Sequence, residues 1–262
     1  VIAMVKLGMP TMVQMRSIEE GAALCRELGL DFLELNINFP QFTLEKLDVK
    51  RLKEIAEEYG IFYTLHLDDE MSIADFNPYV AQGYCQTVYD AVELSKQLGI
   101  QKLNMHMSRG AKYTLPDRVI YFFEAYEQDY LERIRTFRDE CERRIGDADI
   151  TVCVENTAGY LPFQRRAVEL LLGSPVFGLT FDIGHNYCAG DLDGIPEYCI
   201  TVGMKEMMMA KKVIMIMPRD WNAAALRKIL HGPVTSKIPC SLFQNHPDAK
   251  IYAASVALAS PI

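Results

Sequence analysis

The 262-residue sequence predicts an α/β fold, a parallel (β/α)8 barrel whose last quarter is atypical and leaves completeness of the ring open. Three observations carry this. Strand-like apolar runs alternate with helical patterns at a repeat of roughly 30 residues, the order that gives parallel strands with right-handed crossovers. Four of the strands, in FYTLHLD, KLNMHMS, TVCVENT and GLTFDIGH, end on metal-seeking side chains: His66, His106, Glu155 and Asp182, with His185 just beyond. No glycine-rich phosphate turn follows the first strand, where a dinucleotide fold would want one. Polar ends on four consecutive strands suit a ring better than a single switch point, because a barrel collects all its strand carboxyl ends on one face.

The elements follow in order. Val5–Gly8 reads as a short strand and Ser17–Leu28 as a helix, capped by Ser17, favoured by Glu19 and Glu20 at its positive end, and stopped by Gly29. Phe32–Ile37 is the second strand. Thr43–Tyr59 is the second helix, with Thr43 as cap and Leu44, Leu47, Leu52 and Ile55 at helical spacing. Ile61–Leu67 is a strand, Asp68–Asn77 a loop, Pro78–Leu98 a helix and Lys102–Met107 a strand. A long helix is expected over Asp117–Ile145, then strand Thr151–Glu155, helix Phe163–Leu172 and strand Val176–Ile183. Beyond Asp193 the texture changes. A methionine-rich helix is expected over Ile195–Ala210, with Met204, Met207, Met208 and Met209 as pliable core packing. Strand Lys212–Met217, helix Asn222–Leu230, a short helix Cys240–Asn245 and strand Lys250–Ala254 follow, and the two strands would bring the count to eight. The expected division is 1–193 for six strands of the barrel and 194–262 for a segment supplying the last two.

A formal charge of −8 argues against a general nucleic-acid surface, which is usually strongly basic. Seven dispersed cysteines without a CxxC pair read as reduced thiols, hence a cytoplasmic protein. The opening VIAMVKLGMP does not read as a signal peptide, Met4 is a candidate start, and no stretch is long and apolar enough for a membrane span.

Three imidazoles and two carboxylates at one mouth would suit a divalent metal such as zinc or manganese. A carboxylate ending an apolar strand is costly to bury unless paired or metal-bound, which singles out Glu155; the plain alternative is a buried pair with an arginine. Asp182 and His185 could share an ion or two neighbouring ions, or Asp182 could simply cap its loop. His66 and His106 are matching strand ends, read either as ligands or as hydrogen-bonded core histidines. Arg109 is a candidate for a phosphate or sugar hydroxyl, against a rim salt bridge. Asn156 either orients substrate or holds the loop. Asp68 and Asp69 read as solvated turn residues, Cys188 as a bland thiol, and His231 and His246 as structural.

Residues 4–193, through LHLDDEMSIADFNP, KLNMHMSRG, CVENTAGYLPF and GLTFDIGHNYCAGD, resemble the xylose-isomerase-like TIM barrel superfamily, which contains sugar isomerases, epimerases and apurinic endonucleases. The resemblance implies a metal set of His66, His106, Glu155, Asp182 and His185, with Glu155 bridging metal and substrate and acting as base on a carbon next to a carbonyl. It implies a small sugar or sugar phosphate as partner; the acidic charge argues against nucleic acid, no apolar stretch points to a membrane, and a homo-oligomer is left open. The Asp182–His185 spacing is a feature of the endonuclease branch.

From Gly194 onward, ITVGM, AKKVI, GPVTSKIP and HPDA resemble the C-terminal third of glucosamine-6-phosphate deaminases. That family's catalytic residues lie upstream, and Asn222 stands where it has a sugar-phosphate lysine, so deaminase chemistry does not carry over. The seventh strand, VIMIMP, and the eighth, KIYAAS, lack the histidine and glutamate that the barrel superfamily places there. The function expected is a metal-dependent sugar or sugar-phosphate isomerase or epimerase. The alternatives are an apurinic-endonuclease-like phosphodiesterase, or a non-catalytic fusion or chimera with an incomplete, partly occupied or metal-free site.

Overall fold

The computed structural model describes residues 6–157, 159–182, 185, 208, 213–217, 223–235 and 238–253. The chain divides into two units, Val1–Glu197 and Tyr198–Ile262. The first is built on strands β1 (Gly8–Pro10), β2 (Phe32–Asn36), β3 (Phe62–His66), β4 (Lys102–Met105), β7 (Thr151–Glu155) and β8 (Phe177–Thr180). They pair in the order β1-β2-β3-β4-β7-β8, every pair parallel. The parallel α/β architecture is therefore the one the sequence implies.

Period-two alternation sorts the side chains. Leu33, Leu35, Tyr63, Leu65, Leu103, Met105, Val152 and Val154 lie on one face, all buried in a single core. That core takes in the apolar sides of helices α1 (Ile18–Leu28), α2 (Val49–Tyr59), α3 (Pro78–Leu98), α5 (Glu127–Ile145) and α6 (Pro162–Leu172). The opposite face carries polar groups in register: Glu34 beside Thr64, Asn36 beside His66, His66 beside Asn104, and Asn104 beside Cys153. Polar residues thus gather on the sheet face that the helices leave uncovered.

Several element boundaries differ from those expected. The first strand is Gly8–Pro10, because its ladder partners are Phe32, Leu33 and Glu34. The helix expected from Thr43 splits. Leu44–Lys46 is a single 3-10 turn, Leu47 is extended, and Asp48 caps α2 by accepting the amide of Arg51 at 2.9 Å. Thr43 instead donates to Glu45 at 2.7 Å. The long helix expected from Asp117 begins only at Glu127. Before it come an antiparallel hairpin, β5 (Lys112–Thr114) and β6 (Val119–Tyr121), and a short helix α4 (Phe122–Ala125). Val119, Ile120 and Tyr121 are strand formers, and Pro116 sits inside a turn closed by the amide of Leu115 on the carbonyl of Arg118 at 2.8 Å.

In the second unit, β9 (Val213–Met217) and β10 (Ala249–Ala253) pair in parallel as a two-stranded sheet, each the hydrogen-bonded neighbour of the other. Helix α7 (Ala223–His231) and a 3-10 helix over Pro239–Asn245 accompany them. Leu226 and Ile229 form a small core with Met215, Ile238, Ile251 and Ala253. The helix expected over 195–210 and Cys188 fall largely or wholly outside the described residues. Among the described residues, no helix is long and apolar enough to cross a membrane.

The turn after β4 is tightly specified. Gly110 has φ +68, and a Cβ there would come within 2.6 Å of the buried Phe123 ring. Left-handed backbone costs an L-residue about 1–2 kcal/mol, and overpacking a core adds about 1–3 kcal/mol. Gly110→Ala should therefore lower the unfolding free energy by about 2–5 kcal/mol in urea titration; a change below about 0.5 kcal/mol would contradict this packing.

Candidate metal centre

Four strand ends place the site. His66 is the last residue of β3, His106 follows β4, Glu155 ends β7, and Asp182 and His185 lie just past β8. The parallel register brings the first three together. Glu155 Oε2 lies 3.6 Å from His66 Nε2 and 3.5 Å from His106 Nε2, while Oε1 lies 3.4 Å from His185 Nε2. The His66 and His106 rings meet edge to face at 5.1 Å, and those of His106 and His185 at 6.1 Å.

Glu155 is buried, and Asn104 donates its side-chain amide to Oε2. Burial alone would raise this carboxyl. The flanking His106 and His66 rings and the Asn104 amide reverse that and hold it well below the usual carboxylate range. The converse appears at His66. Burial would lower the ring, but Glu155 and the carbonyl of Leu67, helped by Glu34, push it up to about 9. His66 Nδ1 lies 2.7 Å from that carbonyl, so it carries a proton and leaves Nε2 directed at Glu155.

The donor set fits a divalent ion. Tetrahedral zinc at about 2.0–2.1 Å from its ligands sets those ligands roughly 3.3–3.4 Å apart, close to the contacts around Glu155. The ligand atoms of His106, Glu155 and His185 lie within 4.8 Å of one another. His106 Nε2 is buried without a hydrogen-bond partner, a polar atom of the kind a bound ion would satisfy. A second group, His66, Asp69 and His106, also converges within 4.8 Å.

The remaining expected residues are placed as follows. Asp182 is not in either converging group; its Oδ1 accepts the amide of His185 at 2.7 Å, the loop cap that was one of its two readings. Asn156 uses both ends of its amide on the backbone of Asp182, donating at 3.0 Å and accepting at 2.6 Å, so it ties the end of β7 to the loop after β8. Arg109 donates to the carbonyl of Gly159 at 3.2 Å, bridging two loops. His231 ends α7, and His246 is buried with its Nδ1 accepting the amide of Asp248 at 3.1 Å.

Sequence reasoning passed over four residues that the structure brings into the site. Asn104 sits two before His106, and period-two alternation alone would have put both on one face. Glu34 lies on the same face as Thr64; burial pushes its carboxyl up, opposed by the His66 ring and reinforced by the charge of Glu155. Asp69 reaches both histidines, and Asn38 holds Asp69. Turn composition gives no hint of either contact.

A family model described as xylose isomerase-like TIM barrel matches residues 22–225, running past the change of texture near 193. A solved D-tagatose 3-epimerase-like protein gives a TM-score of 0.60 at 17% identity, over 97% of this chain and 93% of its own. A 3-keto-D-glucoside 4-epimerase from E. coli gives 0.58 at 12% identity, over 96% and 92%. At such identities the likeness is one of fold. Among curated sequences, a glucosamine-6-phosphate deaminase of Halothermothrix orenii is 26% identical over 158 residues, 60% of this chain and 61% of that protein. One from Streptococcus thermophilus is 40% identical over 65 residues, 25% of this chain and 28% of its own. The chain thus spans less than two thirds of these deaminases.

The Asn156 bonds make a stability prediction. Removing a side chain that satisfies two buried-edge backbone groups costs about 1–3 kcal/mol. Asn156→Ala should lose that much in denaturant titration; an unchanged midpoint would mean the tie between the two loops contributes nothing.

Proposed function

Because the chain belongs to the xylose isomerase-like TIM barrel family, we propose that it is a metal-dependent sugar or sugar-phosphate isomerase or epimerase that moves a proton on a carbon next to a carbonyl. The observation that carries this reading is the buried Glu155 carboxylate, approached by three imidazole nitrogens at 3.4–3.6 Å. His106, Glu155 and His185 would hold the ion, with His66 beside them and Asp182 contributing from its loop. A bound divalent ion would act as a Lewis acid on a substrate carbonyl.

The chain's own residues do the rest. Asn104 anchors Glu155 through Oε2, which fixes the carboxylate plane and presents Oε1 toward His185. Glu155 is the group we assign to proton transfer, since its carboxylate stands among the imidazoles of His66, His106 and His185. Arg109 and Asn156 keep the surrounding loops in place, and Arg109 is the cation we assign to an anionic or hydroxylated part of the substrate.

One feature favours a second reading, metal-dependent phosphodiester hydrolysis. The two oxygens of Glu155 face different histidines, Oε2 toward His66 and His106 and Oε1 toward His185. A carboxylate so placed can bridge two ions, as two-metal hydrolysis requires. Salt-sensitive cleavage of abasic DNA would mark that activity.

The test is direct. Protein purified without chelator should carry zinc or manganese near stoichiometry by elemental analysis, and should exchange the proton beside the carbonyl of ketoses or their phosphates with deuterated solvent. Glu155→Gln should abolish both while leaving the far-UV circular dichroism unchanged. Exchange at near the parent rate in Glu155→Gln, or a parent protein free of metal, would defeat the assignment.

A further inference from the structure

We infer that Asp69, clamped by Asn38, is a positioning residue that fixes His106 for metal binding: its Oδ1 faces His106 Nδ1 at 3.8 Å, favours the proton on that nitrogen, and so frees Nε2 for an ion beside Glu155. This rests on the reading of the site as a metal site. It adds a residue from the β3–α3 loop that composition marks as an ordinary acidic turn.

A single oxygen carries the argument. Asp69 Oδ1 lies 3.6 Å from His66 Nδ1, 3.8 Å from His106 Nδ1 and 3.1 Å from Asn38 Nδ2. His66 Nδ1 already has a nearer acceptor, the Leu67 carbonyl at 2.7 Å. Asp69 is thereby left to His106. On the far side of the same two rings both Nε2 atoms face Glu155 Oε2. The imidazoles thus stand between two carboxylates, one on their Nδ1 edges and one on their Nε2 edges. A histidine that ligates through one nitrogen commonly donates the other to a carboxylate, which sets its tautomer and orientation and raises its basicity.

Asp69 is half exposed, at 51%, and exposure alone would make it a free loop acid. Asn38 removes that freedom. Its Oδ1 accepts the amide of Asp69 at 2.8 Å while its Nδ2 donates to Asp69 Oδ1, so one side chain grips both backbone and carboxylate. Asn38 is itself set by Asn36, whose Oδ1 accepts from its amide at 2.9 Å and its Nδ2 at 2.8 Å. Asn36 is fixed in turn at the end of β2, its amide donating to the Thr11 hydroxyl at 2.9 Å. A relay of hydrogen bonds therefore runs from the sheet to the carboxylate.

The same geometry argues against Asp69 as a direct ligand. An ion held by His66, Asp69 and His106 would need the Nδ1 lone pair of His66, and that nitrogen donates to Leu67. The nitrogen left without a hydrogen-bond partner is His106 Nε2, on the Glu155 side. The ion belongs there, and Asp69 acts on it through His106.

The experiment compares zinc affinity, by chelator competition, in the parent chain, Asp69→Asn and Asp68→Asn, each checked for an unchanged melting curve. Asp68→Asn removes the same charge next door, outside the hydrogen-bond relay. Asp69→Asn should weaken zinc by about 10–100-fold, the usual range for losing such an outer partner, and Asp68→Asn by less than about threefold. Equal losses in the two variants would reduce Asp69 to a bulk field effect and overturn the inference. The ring nitrogens, followed by 15N NMR in the metal-free protein, give an answer independent of zinc. The share of His106 protonated on Nδ1 should fall in Asp69→Asn relative to the parent. A share unchanged by the substitution defeats the inference. A parent chain that binds no zinc yet shows this tautomer shift would refute the metal reading and keep the role of Asp69.

Discussion

A buried carboxylate at the end of a parallel strand governs this structure. Taken from water without compensation, such a group would rather take up a proton than stay charged. Here Asn104, His106 and His66 surround Glu155 and reverse the effect of burial. Asn104 and His106 come from β4 and its end, beside β7, and His66 from β3 one strand further, so the compensation exists only while β3, β4 and β7 keep their register. Sliding β4 by one residue would turn Asn104 and His106 toward the apolar core and leave the carboxylate alone. Fold and site are in that sense one constraint.

The strand ends were legible because burial and chemistry leave different marks. An apolar run that closes on a histidine or glutamate breaks its own pattern, and the break points at His66, His106 and Glu155. What stayed hidden depends on tertiary geometry. Asp69 sits in an acidic stretch that reads as solvated, and nothing local says that its carboxylate turns back to two imidazoles. The hairpin before α5 was hidden for another reason. Tyr121, Phe122 and Phe123 fit a helical face as readily as a strand end, and only the turn around Pro116 breaks the tie. Asn156 was legible as a residue worth naming but not in its role, since one amide can meet substrate or backbone with equal ease.

The second unit follows different rules. Its strand β9 is apolar throughout and ends on no ligand group, and β10 carries Lys250 and Tyr252 without a carboxylate. Among the described residues, both converging sets of metal-seeking side chains come from the first unit.

Glu155 is asked for two things that pull in opposite directions. The neighbours that hold it ionised make it a good ligand for a cation, and by the same charge stabilisation make it a weaker base. A base gains strength when its charged form is less comfortable, and on this face of the sheet that condition is met at Glu34, whose carboxyl is shifted the other way by burial. Here the opposition comes from position along the strand. Glu34 lies in the middle of β2, while Glu155 lies at the mouth, within reach of histidines from three other strands or their following loops. The difference between the two acids therefore follows from where the sheet ends.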